Sequence, residues 1–218
     1  MSYVILVPIL CAMIASIIKF KYNKNNFFFI EGVALSCAFI CVIAIYISSY
    51  SNFTLWWLVG SFLFSIIGDF FMKRLHSNKE LKLGILFFLM AHLGFLIYSL
   101  RLNGMMWWIF MIVLIPFVAL FIGFYRTAPR LQEDRSLALV AFVYIIMSGA
   151  TLSANMYHAG HSGAWVFLLA ITCLIVSDLL IAIRELYHKM WTNYLIMPLY
   201  YLCHILIGWS VVLVYFNH

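Results

Sequence analysis

The chain has 218 residues, 67% apolar and only 9% charged, with seven acids against thirteen lysines and arginines for a net charge of +6. A soluble domain carries roughly 25% charged residues. This chain therefore lacks the polar surface to face water, and it reads as an all-α integral membrane protein with one transmembrane helical domain over 1–218 and no separate soluble domain.

A bilayer core about 30 Å thick takes about 20 apolar residues per helix. Cut at its polar breaks, the sequence gives eight predicted spans, near 2–18, 27–50, 55–72, 83–100, 106–125, 136–156, 164–183 and 194–216, as a polytopic helical bundle. The first span, MSYVILVPIL onward, has no basic leader region and no small-residue cleavage site, so it is expected to be retained. The second opens with FFFIEGVAL, where Glu31 reads as an interfacial residue. The third closes on SIIGDFFMKR with Asp69, and the fourth carries His92 in FFLMAHLG. The seventh holds Asp178 in LIVSDLLIAIR, and the eighth holds Tyr200, Tyr201 and His204 in YYLCHILIG. The five cysteines all lie in apolar stretches, odd in number and without a disulfide or zinc spacing, and read as small buried hydrophobes.

The connectors set the orientation. KFKYNKNN, MKRLHSNKELK, YRTAPRLQEDR and IRELYHKMWTN hold twelve of the thirteen cations, and the opposite set holds only Arg101. Positive charge marks the cytoplasmic side, so both termini are expected outside the cytoplasm. Six of the seven tryptophans gather near the other interface, which agrees. The basic stripe is thus an orientation signal and an attraction for anionic lipid heads, with no nucleic-acid partner implied.

The two halves echo one another. The third and seventh spans run the same way, each with an aspartate toward its cytoplasmic end, and each is followed by a helix with an intramembrane histidine. An aromatic residue, Phe88 or Tyr200, stands four positions before that histidine. The pattern suggests a two-fold repeat of four helices about an axis along the membrane normal. At 1.5 Å per residue, both aspartates lie roughly 5–8 Å below the cytoplasmic face, and His92, Tyr201 and His204 roughly 10–15 Å below it. A shared cavity in the inner half of the bilayer is geometrically allowed.

An aspartate near the centre of a span costs about 2.5–3.5 kcal/mol on insertion scales, so such a residue is a functional candidate by default. The plainer alternatives are a surface pair of Asp69 with Lys73 at i+4 and, for each histidine, an interhelical hydrogen bond. His158 and His161, in NMYHAGHSG, form a poor metal spacing and receive no role. Neither a phosphate-binding glycine loop nor a serine-nucleophile or zinc-peptidase motif occurs, and three clustered histidines for zinc are missing, so no metal or cofactor is expected.

A Gly-Asp closing the third span, the F-x-x-x-H-x-x-x-x-x-Y helix (Phe88, His92, Tyr98), the late Ser177-Asp178 and the final Tyr-Tyr helix together resemble the YhhN/TMEM86 family. The ordered set covers about residues 27–210. The chain departs from it at FFFIEGVAL, where many relatives have Lys-Pro, at Ala170-Ile171, where Gly-Ala is usual, and at His204, where Gln often stands.

The resemblance implies an eight-span lysoplasmalogenase, which hydrolyses the vinyl ether of a one-chain 1-alkenyl glycerophospholipid to a fatty aldehyde and a glycerophospho-alcohol. Vinyl ether hydrolysis begins with protonation of the β-carbon and passes through an oxocarbenium ion. It therefore needs an acid that keeps its proton and a negative charge beside the cation. Two carboxyls in one low-dielectric site supply both, as in glycosidases. Asp69 and Asp178 are the expected catalytic pair, with either one as the acid. His92, Tyr98, Tyr200, Tyr201 and His204 are candidates to orient water or the glycerol hydroxyl, and Lys73, Arg74 and Arg184 to hold the lipid phosphate. The expected partners are a lysophospholipid and the bilayer, and the expected location is a bacterial inner membrane. The alternative is a small proton-coupled transporter or lipid scramblase that uses the buried aspartates as a relay.

Overall fold

The computed structural model describes residues 2–22, 27–47, 53–73, 78–156 and 162–215. After a single 3-10 turn, Ser2–Ile5, come α1 (Leu6–Tyr22), α2 (Phe27–Ile47), α3 (Phe53–Lys73), α4 (Asn78–Asn103), α5 (Trp107–Thr127), α6 (Pro129–Glu133), α7 (Arg135–Met156), α8 (Ser162–Tyr187), a second 3-10 turn at Met190–Thr192, and α9 (Asn193–Tyr215). No strand occurs among the described residues. Helices are what a bilayer demands, because each satisfies its own backbone polar groups where water is absent.

Six helices, α3, α4, α5, α7, α8 and α9, are long and apolar enough to cross a membrane, and the chain is an integral membrane protein. Two further apolar stretches, Tyr3–Ile18 and Glu31–Ile47, are shorter. The spans expected at 83–100 and 164–183 grow to Asn78–Asn103 and Ser162–Tyr187, because polar turns continue the helix beyond the apolar run. The connector YRTAPRLQEDR holds α6, which begins at Pro129, where a missing N–H costs no intrahelical bond.

Asp134, between α6 and α7, then caps the longer helix: its Oδ1 accepts the Leu137 N–H at 3.0 Å. Lys82 of α4 approaches its Oδ2 at 2.8 Å. The Lys82 ammonium, with help from the Ser136 hydroxyl and the Leu137 N–H, holds this carboxyl well below the usual carboxylate range. The start of α4 is thereby tied to the start of α7.

Six helices close a ring. In the order α2, α3, α4, α7, α8, α9 each packs on the next, and α9 returns to α2. Outside the ring, α1 lies on α2 and α5 lies on α7. Exchanging the quartet α1, α2, α3, α4 for α5, α7, α8, α9 maps every one of these pairs onto another, which is the two-fold relation suggested by the sequence echo.

The closest partners are α3 with α4 and α8 with α9. Glycine makes each approach possible: a Cβ on Gly94 of α4 would sit 2.7 Å from the Trp57 carbonyl oxygen and 2.1 Å from Ser61 Oγ. A Cβ on Gly163 of α8 would sit 2.9 Å from the Ser210 carbonyl oxygen. Without a hydrophobic force between helices in lipid, such close packing is a main source of cohesion. It also fixes the rotation of α3 and α8, and so the direction of their aspartates.

Candidate active site

Three ring helices meet at Asp178. The Tyr144 hydroxyl, from α7, donates a hydrogen bond to Asp178 Oδ2 on α8. His92 Nε2, from α4, lies 3.3 Å from the same oxygen and 2.9 Å from the Tyr144 hydroxyl. The imidazole stands edge-on to the tyrosine ring, with centroids 5.1 Å apart. His92 is 1% exposed, and its Nδ1 has no hydrogen-bond partner among the described residues. Next to Asp178, Ser177 donates to the Ile196 carbonyl of α9 at 3.2 Å, which locks the rotation of α8 and keeps the carboxyl inward.

Asp69 on α3 has a different partner, the Tyr200 hydroxyl of α9, which donates to its Oδ2. Asp69 lies within electrostatic reach of Asp178. Under the two-fold relation, the α3–α9 contact of Asp69 with Tyr200 corresponds to the α8–α4 contact of Asp178 with His92. A third acid joins the neighbourhood. Glu31, near the start of α2, is 3% exposed and lies within electrostatic reach of Tyr200 and Tyr201.

The remaining predicted residues divide. His204 is buried one turn beyond Tyr200, its Nδ1 2.8 Å from the Tyr200 carbonyl oxygen and its ring 4.2 Å from the Tyr200 ring. Its Nε2 has no hydrogen-bond partner among the described residues. Tyr201 is buried with Ala12, Ala15 and Val33 on the α1–α2 side. Tyr98 is drawn elsewhere: its ring lies tilted against Phe167, with centroids 5.1 Å apart, and it bonds to Tyr215, about 9 Å along α4 beyond His92. Arg184 is engaged at the basic end of the bundle, donating to Glu185 Oε1 at 2.7 Å and to Asn193 Oδ1 at 3.0 Å. Arg130 of α6 reaches the same place, donating to the Glu185 carbonyl at 3.3 Å. Arg74, His158, His161 and the Lys73 side chain lie outside the described residues.

The residue that sequence reasoning missed is Tyr144. In LVAFVYIIMSG it is one aromatic among many. The available signal was its depth: a hydroxyl about two and a half turns from the end of a span needs a partner that lipid cannot supply.

Beside this centre lies a cavity of about 120 Å³ between α4, α5, α7 and α8. Its wall is nearly all hydrocarbon and aromatic, and Tyr144, Ser148, Asp178 and Glu185 are the polar residues on it. Asp69 does not line it.

A helical bundle that carries two neighbouring carboxylates inside its membrane-spanning part, one of them on an apolar cavity, defines a polytopic membrane protein with a buried acidic centre. The chain matches the YhhN family over residues 27–211, from α2 through most of α9 and across both aspartates. It belongs to the YhhN family. No protein of curated function and no solved structure matches it.

Proposed function

We propose that this protein is a lysoplasmalogenase, an ether hydrolase that cleaves the vinyl ether of 1-alkenyl lysoglycerophospholipids by paired-aspartate acid/base catalysis. The observation that carries the reading is Asp178, gripped by Tyr144 and His92 at an apolar cavity, with Asp69 in electrostatic reach. Family membership agrees with it. In this reading α1 and α2 also cross the bilayer, giving eight spans, both termini face away from the cytoplasm, and the site opens toward the inner leaflet.

The geometry suggests a division of labour that the sequence left open. The Tyr144 hydroxyl donates to one oxygen of Asp178, and His92 Nε2 stands 3.3 Å from the same oxygen. With its proton on Nε2 the imidazole would be a second donor, an arrangement suited to a carboxylate in its charged role. Asp69, with Tyr200 as its donor, is then the acid. Its proton goes to the β-carbon of the vinyl ether as the double-bond electrons form the new C–H bond, leaving an oxocarbenium ion beside Asp178. Water adds to the cationic carbon and returns a proton to Asp69. The resulting hemiacetal breaks its C–O bond, and its hydroxyl proton passes to the departing glycerol oxygen. Fatty aldehyde and glycerophospho-alcohol leave, with one water consumed. General acid help is typically worth 10²–10⁴-fold, and a fixed charge in a water-poor site adds electrostatic stabilisation.

The test is aldehyde release by purified protein from 1-alkenyl and 1-acyl lysolipids side by side. Cleavage of the 1-alkenyl lipid is expected, with Asp69→Asn and Asp178→Asn each slower by at least about 10²-fold. Near-normal turnover in both folded variants removes the mechanism.

One observation favours the transporter or scramblase reading. A polar line continues from Tyr144 along the α7 face toward α4: Thr151 reaches the His92 carbonyl at 3.4 Å, and Asn155 donates to Ser99 at 2.9 Å. It extends about 16 Å along α7, and the buried Asn155 Oδ1 has no partner among the described residues. Solute or lipid movement across vesicles driven by a pH gradient, without aldehyde, decides for that alternative.

A further inference from the structure

Four polar residues of α7, Tyr144, Ser148, Thr151 and Asn155, recur at helical spacing and so share one face. His92 and Ser99 of α4 stand opposite, His92 Nε2 2.9 Å from the Tyr144 hydroxyl and Ser99 Oγ 2.9 Å from the Asn155 amide nitrogen. Ser148, Thr151, Asn155, His92 and Ser99 are each 3% exposed or less. The two faces thus form a closed polar seam. It starts at the acidic centre and ends at Asn155, one residue short of the end of α7 at Met156.

The hydrogens in this seam are already committed. Ser148 donates to the Tyr144 carbonyl and Thr151 to the Met147 carbonyl, both at 2.9 Å, and Ser99 donates to the Phe95 carbonyl at 2.8 Å. Both hydrogens of the Asn155 amide are spent, one on Ser99 Oγ and one on the Thr151 carbonyl at 2.7 Å. These contacts fix which way the amide points, because a flipped amide would set Oδ1 against the Thr151 carbonyl oxygen. Asn155 Oδ1 is therefore an acceptor, buried and with no partner among the described residues. His92 Nδ1 is equally bare, and with the ring proton on Nε2 it too is an acceptor. Leaving a buried acceptor without a donor is costly, and inside a span no lipid chain can supply one.

The missing partner is a donor that is small enough for a closed seam and uncharged, and that is water. Buried water characteristically bonds to polar groups that the protein leaves unsatisfied, and the Ser99 and Thr151 oxygens nearby keep spare lone pairs for it. The cavity beside Asp178 is the opposite kind of space, with a wall nearly all hydrocarbon and aromatic. We propose that the seam between α4 and α7 binds buried water at Asn155 Oδ1 and His92 Nδ1, and that the acidic centre receives from it the water its reaction consumes. The use of the water rests on the hydrolase reading; its binding does not. Asn155 is then a positioning residue, acting through the water it holds.

The probe is silver ion, which reaches thiols through water and replaces the thiol proton, applied to detergent-purified full-length protein carrying Ser99→Cys. Capped thiols are those that a maleimide no longer labels after unfolding. Cys37, Cys41 and Cys203, each 0% exposed in an apolar cluster, are dry references in the same molecule. The thiol of Ser99→Cys is expected to be capped at least tenfold faster than these, and adding Asn155→Leu is expected to remove the difference. Capping no faster than the references overturns the inference, as does fast capping that Asn155→Leu leaves unchanged. Should Ser99→Cys fail to fold, Thr151→Cys takes its place in the same comparison.

A second readout follows the reaction. Once the vinyl ether is protonated, water and the free glycerol hydroxyl of the substrate compete for the cationic carbon. Capture by that hydroxyl closes a cyclic acetal, returns its proton to Asp69 and consumes no water. Asn155→Leu is expected to raise the ratio of cyclic acetal to aldehyde at least tenfold, a partition that mere loss of stability leaves alone. Ser153→Ala, which removes a buried hydroxyl off the seam, is expected to leave the ratio within twofold. An unchanged ratio in Asn155→Leu overturns the supply of water by the seam. Fast capping of Ser99→Cys in a protein that releases no aldehyde from any alkenyl lipid supports the water sites and overturns the hydrolase.

Discussion

Tyr144→Phe removes one oxygen atom from the centre and leaves the ring in place. The lost hydroxyl donates to Asp178 Oδ2 and touches His92 Nε2 at 2.9 Å. A hydrogen bond to a charged group is worth about 1.5–3 kcal/mol. If that amount is lost in the transition state alone, at about 1.4 kcal/mol per factor of ten, kcat falls by about 10–100-fold. The fold should hardly notice, since single polar contacts between membrane helices average about 0.6 kcal/mol. His92 keeps its place on the same carboxylate oxygen, so activity falls without vanishing. The assay is aldehyde release from a 1-alkenyl lysolipid by detergent-purified protein, with thermal unfolding of each variant measured alongside. The outcome expected is intermediate: slower than wild type, and faster than Asp178→Asn. Full activity in the variant, or a loss as deep as that of Asp178→Asn at equal stability, refutes the reasoning, because the hydroxyl would then be idle or would itself be the reacting group.

Gly94→Val places side-chain carbon where the Trp57 carbonyl and Ser61 hydroxyl already stand. Overpacking of this kind costs about 1–3 kcal/mol, so the unfolding temperature drops while Gly60→Val, whose added Cβ meets nothing within 4 Å, changes little. Asp134→Ala removes a carboxylate held below its ordinary range chiefly by Lys82. A depressed carboxyl stabilises the fold above its unfolded value, about pH 4, and that contribution is lost as pH falls further. The stability gap between wild type and variant should therefore be full at pH 7 and shrink toward pH 3 in a thermal-unfolding series.

The membrane class needed only the ratio of apolar to charged residues, and the positions of the helices needed only the polar breaks between runs. The two aspartates and His92 were legible for a related reason: ionisable groups are costly in hydrocarbon, so each one found there requires an explanation. What the sequence could not give was the inward face of each helix. In a soluble helix, polar residues mark the outside. In a span, the lipid-facing and bundle-facing sides are both apolar, and the period that would distinguish them fades.

Tertiary packing therefore decided that Tyr144 reaches Asp178 across 34 residues and Tyr200 reaches Asp69 across 131. It turned Tyr98 toward Phe167 and Tyr215, buried Glu31, and placed Asp178 but not Asp69 on the cavity between α4, α5, α7 and α8. The sequence by itself determined which groups had to be satisfied inside the membrane. Their partners depended on helix rotation and close approach, and those are set by contacts such as Gly94 on Trp57 and Ser177 on Ile196, which exist only once the bundle has assembled.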